Sequence, residues 1–586
     1  MGLNIVGISA FYHDSACCIL KDGKLIAAAE EERFTRIKFD PSIPRHSFKY
    51  CLSEANLSIA DIDCIAFYED PQKKLARQIW SGHVPYDSAL LKKNFNRPEK
   101  EIKEVLGFHG KILYFDHHLS HAASAYYFSG FDEAALLTAD GVGEWATTTY
   151  GNGSKENISL FEEIHFPNSI GLLYSTITSY LGFLVNNGEY KVMGLAPYGE
   201  AIYVDKIKKL ITSQSEGKFE LNMEYFDFIK GNIMYSDSLP KLFGVPARKR
   251  ESSINQFHKN VAKSLQVVLE SILIEKADYL HDKTGSENLC MAGGVALNCV
   301  ANSKILKNTK FKNLFVQPSA NDAGAALGAA TLAHVSLTGV RPLKDKLQDV
   351  YLGPSYSSEE ILQTLAGTKI KYKNFTGEES KLCVETAKRL SKGMVVGWFQ
   401  GRMEFGPRAL GARSIIADPR NRTMKDRINT MVKKREGFRP FAPAALYEKV
   451  LEHFKIEHPS PFMLETCQVI SKIELPAITH VDGSARLQTV TKEANGFFHD
   501  LLNSFDEITG CPILLNTSFN IRGEPIVCTP EDAIKCFINT DIDCLVLGPI
   551  IIDREKQNFD FLRLFIDNYL KDRKESGIQH KVYTFI

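Results

Sequence analysis

Short apolar runs that end in glycine turns alternate with amphipathic stretches along most of the chain. Helices are predicted over about residues 119–128 and, from apolar spacing near 3.6, over 254–283. Strand–turn–helix units follow at 288–298 and 313–335, which indicates an α/β architecture. Strands are predicted at NIVGISAF (4–11), CCILKDGKLIAAAEEE (17–32, a hairpin turning at Asp22-Gly23), DCIAFYE (63–69), KILYFD (111–116), AALLTAD (134–140) and its hairpin partner ATTTYGNG (146–153).

A segment rich in Pro, Gly, Ser and charge, GVRPLKDKLQDVYLGPSYSSEE (339–360), interrupts this pattern. Beyond it, further strands are predicted at GMVVGWFQ (393–400), PILLNTSFN (512–520) and CLVLGPIII (544–552). We therefore expect two α/β domains, over 1–345 and 355–586, as the length of 586 residues also suggests.

Charge and cysteine content exclude several classes of protein. The 70 basic and 70 acidic residues balance, so charge predicts no nucleic-acid or membrane partner. The apolar runs are shorter than the ~20 residues of a membrane span, and the start of the chain shows no basic leader. Twelve cysteines without a CxxC pair favour reduced, buried thiols and a cytoplasmic location.

Glycine turns follow several of the predicted strands, in GISAFYHD, TADGVGEWA, CMAGGVALN and NDAG (321–324). Glycine lets backbone N–H groups approach a phosphate, and a following helix N-terminus favours negative charge. Asp140, Gly293 and Gly294 lie in these turns and are candidate substrate contacts. A single turn of this kind also simply ends a strand, but four are harder to explain in that way.

Three histidines lie together in FDHHLSHAASAYY (115–127). His117 and His121 are four residues apart, so on a helix they share one face and reach one ion. Asp140 and Asp322, beside glycine turns, are the available carboxylates. Two imidazoles with carboxylates suit iron or another divalent ion, and the spacing also permits zinc or manganese. The alternative is that His117 caps the helix or hydrogen-bonds in the core, as we expect of His118.

These motifs resemble a known family. HxxxH before a DG strand, then a GG turn and NDxG, is similar to the enzyme that transfers threonylcarbamoyl to tRNA. Together with SAFYHDSA, EERFTRIKFD, NGEYKVMGLAPYG (187–199), AGGVALN and FGPRALGARSI (405–415), they resemble the NodU/CmcH O-carbamoyltransferases over nearly the whole chain. The resemblance implies an N-terminal duplicated α/β domain of the actin-like ATPase (ASKHA) superfamily and a C-terminal YrdC-like α/β domain.

The family resemblance also implies a reaction in two steps. Carbamoyladenylate is made from carbamoyl phosphate and ATP in the C-terminal domain, with Mg²⁺ as the usual partner of ATP. The carbamoyl group then moves to an acceptor hydroxyl in the N-terminal domain, with iron on His117, His121, Asp140 and Asp322. By the same resemblance Lys38 and, more weakly, Asp227 contact the intermediate or acceptor. His13 is the expected base, because an imidazole titrates near neutrality, although it could merely hydrogen-bond the substrate.

Basic residues of the second domain alternate with Phe, Leu, Ile and Pro in QGRMEFGPRALGARSIIADPRN (400–421) and NTMVKKREGFRPFAP (429–443). Partly desolvated cations need anionic partners, which ATP and carbamoyl phosphate would supply. Lys434 and Arg435 could instead face solvent, and no P-loop sequence is present. The predicted contacts for ATP and carbamoyl phosphate are Arg408, Lys433, Arg439, Arg486, Ser518 and Asn520.

The sequence therefore predicts an ATP-dependent O-carbamoyltransferase that acts on a small hydroxylated natural product. One alternative is a fused tRNA threonylcarbamoyl-modification enzyme, against which the balanced charge stands. Another is an actin-like sugar kinase or nucleotide-binding regulator, which would leave HxxxH and the second domain without a role. The sequence predicts only small-molecule partners and does not determine the acceptor, the metal or the oligomeric state.

Overall fold

A computed structural model of the chain describes residues 2–83, 96–229, 233–342, 345–366 and 368–558. The chain forms two compact units. Unit 1 is built from the residues up to Glu31 and from Phe39–Leu347, and unit 2 from Glu32–Lys38 and from Gln348 onward. The last part of the predicted second domain, 559–586, lies outside the described residues.

Unit 1 contains two five-stranded sheets with the same topology. The first has the order β3-β2-β1-β4-β5, in which β1–β3 form an antiparallel meander and β4 and β5 run parallel to β1. The second has the order β8-β7-β6-β11-β12, again an antiparallel meander followed by two parallel strands. This repeat confirms the predicted duplicated α/β architecture. The strands are β1 (Asn4–Ser9), β2 (Ala16–Lys21), β3 (Lys24–Glu30), β4 (Cys64–Phe67), β5 (Lys111–Tyr114), β6 (Glu133–Ala139), β7 (Ala146–Ser154), β8 (Asn157–His165), β9 (Ile211–Ser213), β10 (Phe219–Leu221), β11 (Asn288–Ala292) and β12 (Asn313–Val316), with β9 and β10 forming a separate ribbon.

Helices surround these sheets, and glycine permits the closest of their contacts. A side chain at Gly328 would collide with the carbonyl oxygen of Ser120, so glycine there allows α12 to pack directly on α5. In chain order the described helices are α1 (Glu32–Thr35), α2 (Arg45–Glu54), α3 (Pro71–Trp80), α4 (Arg97–Glu101), α5 (His117–Tyr126), α6 (Ile170–Tyr180), α7 (Glu189–Leu195), α8 (Val204–Lys208), α9 (Ser238–Phe243), α10 (Gln256–Thr284), α11 (Cys299–Asn308), α12 (Asp322–Thr338), α13 (Ser358–Leu365), α14 (Glu379–Ser391), α15 (Met424–Arg427), α16 (Gly496–Thr509) and α17 (Pro530–Ile538).

Unit 2 is a mixed α/β unit around an eight-stranded sheet of order β13-β23-β22-β14-β15-β21-β16-β20. Its hydrophobic core is separate from that of unit 1 and includes Trp398, Ile415 and Leu514, all fully buried. A small sheet, β17-β18-β19, completes the unit. The strands are β13 (Lys373–Asn374), β14 (Val396–Phe399), β15 (Arg413–Ala417), β16 (Ala442–Leu446), β17 (Phe454–Lys455), β18 (Cys467–Val469), β19 (Ser484–Ala485), β20 (Gln488–Val490), β21 (Ile513–Ser518), β22 (Cys544–Leu547) and β23 (Ile550–Asp553).

A short N-terminal segment, Glu32–Lys38, belongs to unit 2. The Arg36 guanidinium donates to the carbonyl oxygens of Pro525 and Ile526 at 2.9 and 2.6 Å, and Arg33 donates to that of Gly406 at 2.8 Å. Two cations of EERFTRIK therefore bind backbone carbonyls of unit 2.

Predictions of single elements were confirmed where the residues of a turn were recognised, and they were wrong where a glycine turn was not recognised. The hairpin at Asp22-Gly23 is present, with φ of 53° and 75° at these two residues. The run 544–552 is not one strand: Gly548, with φ of 53°, turns the chain, and β22 and β23 pair antiparallel. All twelve cysteines are free and buried. Across the residues described, no helix has the length and hydropathy to cross a membrane.

Candidate active site

Four side chains from three elements of unit 1 converge on one point. His117 and His121 occupy one face of α5, and α5 begins two residues earlier than predicted. Asp322 is the first residue of α12, which packs on α5. Asp140 follows β6 at the turn before Gly141. Their ligand atoms all lie within 4.8 Å of one another, and all four residues are buried.

The distances in this group are those of ligands that share an ion. Nε2 of His121 lies 3.1 Å from Nε2 of His117, 3.0 Å from Oδ2 of Asp140 and 3.5 Å from Oδ1 of Asp322. Burial opposes the charge of His121, but the carboxylates of Asp140 and Asp322 outweigh it and raise the pKa of His121 to about 9. The two imidazoles in turn hold the pKa of Asp140 well below its usual range despite burial.

Orphaned polar atoms test whether a metal fits here. Oδ2 of Asp140 and Oδ2 of Asp322 are buried and accept no well-aligned hydrogen bond, although Nε2 of His121 lies 3.0 Å from Oδ2 of Asp140. Unpaired buried carboxylate oxygens are costly, and a divalent cation would satisfy them. Two imidazole nitrogens and two carboxylates form a donor set that suits iron, manganese or zinc with positions left open. The residues present therefore fit a divalent metal.

His118 does not belong to this group. Its Nδ1 lies 2.6 Å from Oγ1 of Thr138, which lies 2.6 Å from Oγ1 of Thr149. Burial, followed by the neighbouring imidazoles, holds the pKa of His118 well below its usual value. His118 is thus a neutral core residue that joins α5 to the second sheet.

His13 lies in the turn after β1 and is held by a neighbouring carboxylate. Its Nδ1 is 2.9 Å from Oδ2 of Asp14, and the same oxygen accepts a hydrogen bond of 2.8 Å from Nδ2 of Asn321. This arrangement orients the imidazole ring. Burial lowers the pKa of His13, but Asp14, Asp322 and Asp140 together raise it to about 10.

The glycine turns come within contact distance of Asp140. A Cβ on Gly294 would lie 3.0 Å from Oδ1 of Asp140, and a Cβ on Gly293, whose φ is 91°, would collide with the carbonyl oxygen of Ala139. A Cβ on Gly171 at the start of α6 would lie 2.8 Å from the Gly141 nitrogen. These glycines let three backbone segments meet beside the histidine–carboxylate group.

Unit 2 gathers a cluster of cations around Lys433. Burial, followed by repulsion from neighbouring cations, lowers the pKa of Lys433, Arg435 and Arg439. Glu436 is the acidic neighbour that opposes this effect on the two arginines. Such mutual destabilisation of like charges needs an anionic ligand to offset it. The cations that interact in this cluster are Lys38, Arg408, Lys433, Arg435, Arg439, Arg486 and Arg522.

Comparison with known proteins identifies the family. The family model described as carbamoyltransferase N-terminus matches residues 4–331, and that described as carbamoyltransferase C-terminus matches 387–554. The chain belongs to the carbamoyltransferase family. It is 45% identical to the uncharacterized protein sll1178 of Synechocystis, over 94% of this chain and 97% of that protein. It is 40% identical to the nodulation protein NolNO of Sinorhizobium fredii, over 93% and 80% of the two chains. The protein is thus a carbamoyltransferase enzyme, as its motifs predicted.

A cavity of about 140 Å³ lies beside His13 and Asp140 in unit 1 of the carbamoyltransferase. Its lining includes the apolar side chains of Leu172, Val295 and Leu297. Glu189, at the start of α7, adds a carboxylate to the lining and accepts a hydrogen bond of 2.7 Å from Oγ of Ser175. Such mixed lining suits a small ligand that has both an apolar face and hydroxyl groups.

Lys433 holds the loop after β21 in the carbamoyltransferase. Its Nζ donates to the carbonyl and hydroxyl oxygens of Ser518 and, at 3.0 and 2.8 Å, to the carbonyl and side-chain oxygens of Asn520. Lys434 next to it is exposed. The structure thus brings Lys433, Ser518 and Asn520 together.

A buried glutamate shapes the loop that carries Arg408. Oε1 of Glu404 accepts hydrogen bonds from the backbone N–H groups of Leu410, Ala412 and Arg413 at 2.7, 2.8 and 3.2 Å. The loop of FGPRALGARSI therefore closes on a carboxylate, with Arg408 near its middle.

Sequence reasoning did not place every residue of these sites. Asp227, in a loop between Phe226 and Phe228, does not line the cavity beside His13. Arg435 lies within the cation cluster, where Nε donates to Oδ1 of Asn429 at 2.7 Å, so it does not face solvent alone. Glu189 and Arg522 were not predicted at all. The closely spaced basic residues on either side of EGF in KKREGFRP are a sequence signal that could have placed Arg435 in the cation cluster. The residues around Glu189 carry no comparable signal for its place in the cavity lining.

Proposed function

We propose that the carbamoyltransferase makes carbamoyladenylate from ATP and carbamoyl phosphate in unit 2 and transfers the carbamoyl group to a hydroxyl of a small natural product in unit 1. The observation that carries this proposal is the pairing of two unlike sites in one chain. Unit 2 has a cation cluster suited to phosphates, and unit 1 has a histidine–carboxylate group beside a small cavity. One-step transfer from carbamoyl phosphate would need only one of them.

In unit 2, Lys433, Arg439 and Arg408 would bind the phosphates of ATP and the phosphate of carbamoyl phosphate. Arginine pairs with phosphate oxygens in bidentate geometry, and each charge-assisted hydrogen bond is stronger than a neutral one. Ser518 and Asn520, held by Lys433, would orient the nucleotide. Water would first cleave carbamoyl phosphate into carbamate and inorganic phosphate. A carbamate oxygen would then attack the α-phosphorus of ATP, and the bond from that phosphorus to pyrophosphate would break as the new P–O bond forms.

In unit 1, His13 would act as the base. The acceptor oxygen attacks the carbamoyl carbon, its proton passes to Nε2 of His13, and AMP leaves with the electron pair of the broken C–O bond. Asp14 keeps the proton of His13 on Nδ1, so that Nε2 is free to accept. A dication held by His117, His121, Asp140 and Asp322 would supply Lewis acidity and offset the charges of the two carboxylates, and it would thereby lower the pKa of His13.

The cavity beside His13 favours a small acceptor or nucleotide over a macromolecule. Its volume of about 140 Å³ accommodates part of a nucleoside or a compact hydroxylated molecule. Balanced charge gives no support to the tRNA-modifying alternative. A sugar kinase would use unit 1 alone and leave the cation cluster of unit 2 without a ligand.

Pyrophosphate release tests the proposal. Wild-type protein with ATP should release pyrophosphate only when carbamoyl phosphate is present. Lys433→Ala should lose this release, whereas Lys434→Ala, which removes the adjacent exposed lysine, should retain it. His117→Ala should retain pyrophosphate release and lose transfer to an acceptor. Release of ADP without pyrophosphate, or no dependence on carbamoyl phosphate in the wild type, would overturn the carbamoyladenylate mechanism.

A further inference from the structure

A buried glutamate connects the turn that follows β6 to the start of two helices. Glu144 lies four residues after Asp140 in the DGVGE turn and is 4% exposed. Its Oε1 accepts a hydrogen bond of 2.9 Å from the backbone N–H of His117, and its Oε2 lies 3.1 Å from the same nitrogen. Oε1 also accepts a hydrogen bond of 2.7 Å from the backbone N–H of Asp70, immediately before α3.

The residue that would ordinarily cap α5 does not do so. Asp116 occupies the N-cap position, and aspartate there usually accepts a hydrogen bond from the first turn of the helix. Its side chain makes no such bond. Instead its carboxylate pairs with Nζ of Lys73 at 2.7 and 2.8 Å. The first N–H of α5 therefore depends on a carboxylate supplied from another part of the chain.

The position of this hydrogen bond matters because His117 is the first residue of α5. First-turn N–H groups of a helix lack intrahelical partners, and an uncapped first turn frays. His121, one turn further in, is held by the helix itself. Fraying of the first turn of α5 would thus displace His117 but not His121. Glu144, which prevents this fraying, lies on the same short turn as Asp140.

We propose that Glu144 is a positioning residue that fixes the His117 imidazole against Asp140 and thereby sets the metal affinity of unit 1. This inference rests on the metal site of the proposed function. Residues that orient metal ligands from outside the coordination shell change affinity by about 10- to 100-fold when removed. Glu144 acts through a backbone N–H rather than through a ring nitrogen.

Titration of chelator-treated protein with Co²⁺ tests the inference. The visible absorption of bound Co²⁺ reports its coordination, and competition with a chelator of known affinity gives the dissociation constant. Glu144→Ala should bind Co²⁺ about 10- to 100-fold more weakly than wild type. Glu144→Gln, which keeps one acceptor oxygen but directs an NH₂ group at the His117 N–H, should fall between the two. Glu133→Gln, on the exposed start of β6, should bind like wild type.

A double-mutant cycle separates positioning from general loss of structure. If Glu144 acts through His117, Glu144→Ala should cost little further affinity in a His117→Ala background. Equal affinity of Glu144→Ala and wild type would overturn the inference alone, as would a full additional loss in the His117→Ala background. Failure of wild-type protein to bind Co²⁺ would overturn both this inference and the metal site of the proposed function. Far-UV circular dichroism and thermal unfolding of the Glu144 variants should match wild type, which would show that unit 1 still folds, because pyrophosphate release reports on unit 2 alone.

Discussion

Replacing Asp14 with Asn removes one charge next to His13 and keeps the shape of the side chain. Unit charges about 4 Å apart interact by about 1 kcal/mol in water and about 4 kcal/mol at an effective dielectric constant of 20. The Nδ1–Oδ2 distance of 2.9 Å and the partial burial of the pair place it between these limits. Since one pKa unit equals about 1.4 kcal/mol, Asp14→Asn should lower the pKa of His13 by about 1 to 3 units.

The direction of this shift gives two measurements. In chelator-treated wild type the pKa of His13 is raised to about 10, by Asp14 together with Asp322 and Asp140 against the opposing effect of burial. An NMR titration of the His13 ring should show it falling in Asp14→Asn but remaining above the ordinary value near 6.5, because the other two carboxylates persist. With metal bound, the ascending limb of the pH–rate profile should move to lower pH, since a neutral base appears earlier.

Stability follows the same linkage. A raised histidine pKa stabilises the folded protein fully below the unfolded value near 6.5, and this contribution is lost as pH rises toward about 10. The destabilisation caused by Asp14→Asn should therefore be largest at low pH and shrink across this range. Asp282→Asn, which removes a surface carboxylate paired with Lys310, is the matched control. A His13 titration midpoint unchanged in Asp14→Asn would refute the reasoning.

Three further outcomes are expected. Gly143→Ala places a Cβ 2.9 Å from Cδ2 of His117 and should displace the ring, weakening Co²⁺ binding about tenfold in the chelator competition; unchanged affinity would contradict the packing. Arg36→Ala removes charge-assisted hydrogen bonds to two backbone carbonyls and should lower the free energy of unfolding of unit 2 by about 1–3 kcal/mol. Urea unfolding measures this change. An unchanged urea midpoint would mean that water replaces these hydrogen bonds without loss of stability. Burial and neighbouring cations lower the pKa of Lys433, so binding of ATP with carbamoyl phosphate should make Lys433 take up a proton at pH values between that lowered pKa and the ordinary lysine value. Calorimetry in buffers of different ionisation enthalpy should detect this proton as a binding heat that depends on the buffer. Lys433→Ala should remove the dependence.

The parts of the fold that could be predicted are those encoded within a few residues of chain. Period-two strands and glycine turns gave the α/β class, and four-residue spacing placed His117 and His121 on one helix face. The hairpin at Asp22-Gly23 was readable because both positions need a positive φ. The approach of Asp322 to the histidines depends on tertiary packing, which Gly328 makes possible. Its glycine turn marked Asp322 only as an available carboxylate, and the family resemblance alone implied that it is a ligand.

What the sequence concealed depends on contacts that are distant along the chain. The Glu144–His117 hydrogen bond spans 27 residues, and DGVGE looks like any glycine turn. The bonds of Arg33 and Arg36 span 373 and 490 residues, so a charged segment that looks solvated was in fact satisfied elsewhere. Arg435 likewise lies among cations that are distant from it along the chain, such as Arg486. Periodicity describes the face a residue occupies, but not which distant backbone groups will meet it.

The membership of Glu32–Lys38 in unit 2 has a consequence for how the chain is made. Arg36 leaves the ribosome 490 residues before its partner Ile526. At about 5–20 residues per second, synthesis of that interval takes about 25–100 seconds. Throughout this time Arg36 lacks the carbonyl of Ile526, and for the first 373 residues of it Arg33 lacks that of Gly406, while the strands on either side of the segment are already present and able to pair. Unit 2 can therefore complete its folding only after its last strands have been translated. A gene fragment that begins at residue 348 would encode unit 2 without its segment Glu32–Lys38.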